Sequence, residues 1–97
     1  MASRYYTARA LADLVRLGNF LLRDGPDAAL GTGRLIVDAL RILEAHPLVG
    51  RPVSGGKREL VISRGRSGYI ALYEYDPKRD QVVILAIRHQ REAGFEE

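Results

Sequence analysis

Apolar residues recur at helical spacing through the first half of the chain and alternate through the second, with the change near residue 56. Arg4–Tyr6 reads as a short strand, and Thr7 then offers its side-chain oxygen as a helix N-cap. From Ala8 to Arg23 the apolar stripe is Leu11, Leu14, Val15, Gly18, Leu21 and Leu22, with Leu17 and Phe20 beside it. Arg9 and Asp13, four apart on the outer face, are spaced to pair. Asp24-Gly25-Pro26 ends this helix, because glycine accepts a left-handed cap and proline cannot continue the hydrogen-bond ladder. A second helix is predicted over Asp27–Ala45, its stripe being Gly33, Ile36, Leu40 and Leu43, and His46-Pro47 closes it. Gly31 and Gly33 either allow a close approach to the first helix near Gly18 or delay the start of the second.

Pro47–Gly56 then reads as a linker, and three strands follow. Arg58–Ser63 alternates, with Leu60 and Ile62 on one face. Tyr69–Tyr75 places four residues (Tyr69, Ala71, Tyr73 and Tyr75) on one face. Val82–Arg88 is apolar on both faces and reads as a central strand. The joins Arg64–Gly68 and Asp76–Asp80 are hairpin-length. The pattern predicts one α+β domain over residues 1–97, an antiparallel sheet of three to four strands covered on one face by an N-terminal helical hairpin.

Composition narrows the chemistry. The 97 residues contain no cysteine and two histidines, which excludes disulfides and thiolate metal sites and leaves no cofactor to expect. No apolar run of membrane-spanning length and no signal-peptide pattern appears, so a cytoplasmic setting is expected. Net charge is +3, but its distribution matters more than its sum. Residues 51–66 carry Arg51, Lys57, Arg58, Arg64 and Arg66 against Glu59 alone, while residues 67–97 are net acidic. That patch suits an acidic partner, either nucleic acid or an acidic protein segment, or else forms a solvated loop in an arginine-rich chain.

Individual constellations are weak. Gly31-Thr32-Gly33 and the 64–68 segment lack the strand-to-helix setting of a phosphate loop, and Asp76 and Asp80 read as turn residues. Among the described motifs no serine, histidine and carboxylate set stands out. His46 suits a helix C-terminus, whereas His89 lies in Arg88-His89-Gln90-Arg91-Glu92, where the chain leaves a buried strand.

The order of these pieces resembles the RelE/ParE superfamily of toxins from type II toxin–antitoxin modules, and more closely its ParE branch. The resemblance rests on Thr7–Leu14, His46–Pro52, Arg58–Ile62, Ser67–Tyr75 and Val83–Glu92, and it spans Thr7 to Phe95. It implies a βααβββ toxin held inactive by a cognate antitoxin that wraps the chain, laying a helix on the helical hairpin. RelE-like members cut messenger RNA in the ribosome; ParE-like members poison DNA gyrase and cut nothing.

Within that resemblance, an RNA-cutting site would draw on Lys57, Arg58, His89 and Arg91. Ile70 stands where many RNA-cutting members carry arginine, and no tyrosine follows Phe95. The resemblance therefore implies a gyrase poison of plasmid-stabilisation type, with messenger RNA cleavage as the alternative. Strand geometry adds an expectation about the target surface. The Arg64–Gly68 turn and the end of the last strand fall at one end of the sheet, gathering Arg64, Arg66, Arg88, His89 and Arg91. For the antitoxin, Leu17 and Phe20 widen the apolar arc of the first helix beyond one core face, and are expected to present exposed apolar surface.

Overall fold

The computed structural model describes residues 1–22, 25–64 and 67–90; the side chains of Phe20, Leu21, Ala28, Ala29, Ser63, Arg64 and Ser67 lie outside that description. The elements run β1 (Ser3–Tyr6), α1 (Ala8–Leu21), α2 (Pro26–Leu40), α3 (Ile42–Ala45), β2 (Arg51–Val53), β3 (Lys57–Arg64), β4 (Ser67–Asp76) and β5 (Gln81–His89). The strands form one five-stranded sheet in the order β1-β5-β4-β3-β2. Helix α1 lies on β5 and α2 on β3.

The α+β architecture and the one-sided helical cover match the sequence reading; two features of the sheet do not. First, the sheet is mixed. β1 pairs with β5 in parallel, Ser3 opposite Gln81 through Tyr6 opposite Ile84, so only β2 to β5 are antiparallel. Second, the linker hides a strand, because Arg51–Val53 pairs with Lys57–Glu59 as the edge strand β2. Its proline concealed it, and proline is tolerated there because an outer edge needs no ladder donor. The predicted second helix is nearly continuous across Arg41, whose N–H is shared between Val37 and Asp38 carbonyls at the α2–α3 joint.

The core is where alternation and helical period meet. Ile36, Leu40 and Leu43 from α2 and α3 pack with Ile62, Tyr69, Ala71, Tyr73, Val82 and Ile84. α1 contributes Ala10 and Leu17, both buried, with Leu14 packed against them. These positions are spaced four and three apart; Leu14 belongs to the predicted stripe, but Ala10 and Leu17 each lie one residue before its Leu11 and Gly18. Consequently Leu11, Val15 and Leu22, expected inside, are 52%, 62% and 52% exposed. The glycines of the hairpin do not mediate close packing either: a Cβ at Gly18 or Gly33 would meet nothing within 4 Å. Both instead line a groove of about 530 Å³ between the helices, with Leu14, Leu17 and Leu30.

Strand β5 carries a β-bulge. Leu72 faces Ala86 but Tyr73 faces Ile84, leaving Leu85 as the extra residue. The bulge switches the parity of inward residues from Val82 and Ile84 to Ile87 and His89. Beyond Ile84 the strand also loses its β1 neighbour, and α1 supplies the missing partners from its side chains. The Thr7 hydroxyl donates to the Leu85 carbonyl at 3.0 Å and accepts from the Ala10 N–H at 3.1 Å. Asp13 accepts the Ile87 N–H at 2.9 Å, and Arg16 donates to the Ile87 carbonyl at 3.3 Å. Asp13 is thus turned towards the sheet, with Arg16 as its ion-pair partner at 3.6 Å, rather than outward towards Arg9.

Replacing Asp13 by Ala strips a part-buried strand N–H of its acceptor. The expected cost is about 1–3 kcal/mol. Asp13→Asn, which keeps an acceptor oxygen, should recover most of it in urea denaturation; equal losses in the two variants would assign the effect to charge instead.

Candidate functional site

At the end of β5 the chain lies against the start of β4. Arg64 is opposite Ser67 and Ile70 opposite Arg88, and the Gln90 N–H donates to the Gly68 carbonyl at 2.9 Å. The β3–β4 turn and the end of β5 therefore share one end of the sheet, as strand geometry predicts. A Cβ at Gly68 would meet the Gln90 side-chain oxygen, the movable end of an exposed side chain. Arg66 and Arg91 lie outside the described residues, and of Arg64 only the backbone is placed.

Arg88 and His89 are neighbours in the chain but point to opposite faces. Arg88, beside Ile70, belongs to the face without helices; its guanidinium bends back to the carbonyls of His89 and Gln90 at 3.3 and 3.4 Å. His89 turns to the helical side, its ring edge-on to Tyr69 with centroids 5.3 Å apart. They are not one side-by-side cluster.

The open face is set by the same alternation. Val61, Ile70 and Arg88 form one row across β3, β4 and β5; Glu59, Leu72 and Ala86 form the next, and Glu74 and Val83 another. Val61 is 55% exposed, and Glu59 pairs with Arg51 of β2. Lys57 shares this face but sits four residues from Val61, about 13 Å along the strand. Arg58 points the other way, donating to the carbonyls of Leu48 at 3.0 Å and Gly50 at 2.9 Å. Lys57, Arg58, Arg88 and His89 are thus spread over two faces and do not converge on a common point. No three metal-ligating side chains converge among the described residues, and no helix there is long and apolar enough to cross a membrane.

The helical hairpin offers a different surface. Leu17 is 5% exposed and part of the core, which corrects the expectation that it presents free apolar surface; the side chain of Phe20 lies outside the description. The exposed apolar stripe is Leu11, Val15 and Leu22, with Leu30 of α2 56% exposed at the groove. The sequence pattern held both stripes, and only the rotation of α1 about its axis decided which was buried.

Comparison with known proteins agrees with this architecture. The family model described as the ParE toxin of the type II toxin–antitoxin system, parDE, matches residues 5–94. The chain is 40% identical over 84 residues to Toxin RelE3 of Caulobacter vibrioides, covering 87% of this chain and 89% of that protein. Among solved structures, the chromosomal ParDE system of P. aeruginosa superposes with a TM-score of 0.77 at 28% identity, covering 90% and 94% of the two chains. The RelBE2 toxin–antitoxin complex of Mycobacterium tuberculosis gives 0.60 at 26% identity over 92% and 98%. A fold with two helices on one face of a five-stranded sheet, and a family match across nearly the whole chain, lead to one assignment: the chain belongs to the ParE family of toxins from type II toxin–antitoxin systems, within the RelE/ParE superfamily.

Proposed function

We propose that this toxin is a ParE-like poison of DNA gyrase that cuts no RNA itself, and that a cognate antitoxin holds it inactive in the cytoplasm. The observation that carries the choice of target is the make-up of the open sheet face. Cleaving RNA by general acid–base chemistry needs a base, an acid and a cation to stabilise the phosphorane, all converging on one phosphate. Among the described side chains, the face around Arg88 offers Ile70, Val61 and Leu72 instead, and its carboxylate Glu59 is already held by Arg51. Arg58 is committed to backbone carbonyls, and His89 is turned to the other side. An aliphatic face with a guanidinium at its end suits a protein surface.

The antitoxin reading is supported by the Leu11, Val15 and Leu22 stripe and the adjoining groove, a form suited to an amphipathic helix. It is supported also by relatives solved as toxin–antitoxin systems. The target-facing residues are then Arg88 with Arg64, Arg66 and Arg91, with His89 in a supporting place behind the sheet.

Induced expression with parallel readouts tests the target. DNA double-strand breaks and a DNA-damage response, with intact messenger RNA, are expected. Discrete ribosome-dependent cuts in messenger RNA without breaks would replace this reading by the endonuclease one.

A further inference from the structure

The far half of β5 is held on its outer edge by side chains, where the near half is held by a strand. β1 accompanies β5 as far as Ile84 and then turns into α1, and the bulge at Leu85 interrupts the ladder at the same point. A strand edge without a neighbour ordinarily gives its backbone groups to water and frays first. This edge is met by α1 instead. The Thr7 hydroxyl donates to the Leu85 carbonyl, the Ile87 N–H donates to the Asp13 carboxylate, and Arg16 donates to the Ile87 carbonyl. The bond to Asp13 is charge-assisted, and the carboxylate that accepts it is 16% exposed.

What the Ile87 bonds fix is the direction of the next side chain. The Ile87 N–H belongs to the peptide group before Ile87, and the Ile87 carbonyl to the peptide group that carries the Arg88 nitrogen. Each peptide group is planar, so holding both leaves the two torsions between them little freedom. β4 meets the strand from the other side, with Ile70 opposite Arg88. Arg88 therefore leaves for the open face from a backbone gripped on both edges. The grip is also separate from the proposed antitoxin surface. Asp13 and Arg16 lie on the side of α1 turned to β5, whereas Leu11 and Val15 lie on its exposed side.

We propose that Asp13 and Arg16 are positioning residues for the toxin's target: by holding both peptide groups of Ile87, they aim Arg88 at the target without touching it. The inference rests on the reading that Arg88 faces the target. A guanidinium presented from a fixed backbone loses less freedom on binding than one on a fraying strand. Its planar fork also recognises a partner only at the right angle, so aim matters more for arginine than for a point charge.

A double-variant cycle on the purified toxin and gyrase holoenzyme tests this, each variant being compared per folded molecule below its thermal midpoint. Asp13→Ala should weaken gyrase binding about ten-fold, and Arg88→Ala by as much or more. Asp13→Asn, which keeps an acceptor for the Ile87 N–H, should bind nearly as the wild type does, and antitoxin affinity should be unchanged in both Asp13 variants. The double variant Asp13→Ala, Arg88→Ala should bind no worse than Arg88→Ala alone, since the clasp then has nothing left to aim. A merely structural role would multiply the two factors instead, and that outcome overturns the proposal. Full gyrase binding by Asp13→Ala overturns it, and so does an Asp13→Asn as weak as Asp13→Ala.

Failure of the underlying reading shows differently. An Arg88→Ala variant that binds gyrase fully places the target surface elsewhere, and the positioning role falls with it. Should the wild type itself bind no gyrase, the target is another molecule and the same cycle is read as the inducer dose that halves growth. Toxicity lowered in Asp13→Ala, kept in Asp13→Asn and no lower in the double variant than in Arg88→Ala sustains the positioning role. Full toxicity of Asp13→Ala, or factors that multiply, overturns it.

Discussion

Gly50→Ala should be among the most damaging single substitutions in this protein. A methyl group at that position would stand 2.5 Å from the Tyr73 hydroxyl, 2.6 Å from its ring and 2.9 Å from the Glu59 carbonyl. Neither the fully buried ring nor a strand backbone can give way cheaply, so the expected loss is about 3 kcal/mol. In a domain of this length that corresponds to a midpoint lower by about 12–24 °C. The Gly50 N–H bond to Tyr73 would be lost in the same displacement. Burial pushes the Tyr73 phenol above its ordinary pKa, only partly offset by that N–H, so it remains protonated where the protein works. Gly18→Ala and Gly33→Ala provide the contrast. Both lie inside helices and face open space, and each should stabilise by about 0.5–1 kcal/mol. Thermal melts of the three variants decide it, and a harmless Gly50→Ala would mean that the loop moves freely over Tyr73.

Replacing Leu11 and Val15 together by Ser should lower antitoxin affinity by roughly 100-fold, about 3 kcal/mol, without unfolding the chain. The expectation rests on the antitoxin reading and on the exposure of both residues, 52% and 62%. Leu17→Ser is the informative control. Leu17 is in the core, so that variant should lose about 3 kcal/mol of stability, and any weakening of binding should track unfolding. Titration of each folded variant with antitoxin separates the cases. Undiminished affinity in the double variant would move the antitoxin off the outer face of α1.

The helices and the three long strands were legible because each buries one regular stripe, and periodicity reports that directly. Where reading failed, two periods competed or none was present. α1 is apolar over an arc wide enough for two stripes, and the choice between them belongs to tertiary packing. β2 has three residues and a proline, too short for alternation to register. The candidate target surface was half legible. Bringing the β3–β4 turn to the end of β5 follows from antiparallel connection alone. Which face Arg88 and His89 take did not follow, because one unpaired residue upstream inverts it. The roles of Asp13, Arg16 and Arg58 were invisible for another reason: each satisfies backbone groups distant in the chain, and backbone acceptors leave no mark in a sequence.

That unpaired residue, Leu85, has an evolutionary corollary. Its deletion would restore plain alternation and leave Arg88 on the open face and His89 on the helical one, because Ala86 would then follow Ile84 directly in the pleat. The bulge lets the strand carry one residue more without turning its far end over. Relatives on the same scaffold can therefore differ by one residue here and still display the same guanidinium. An alignment that opens a single gap at Leu85 matches arginine to arginine on the same face, whereas an extra residue taken up into the pairing would turn every later side chain to the opposite side.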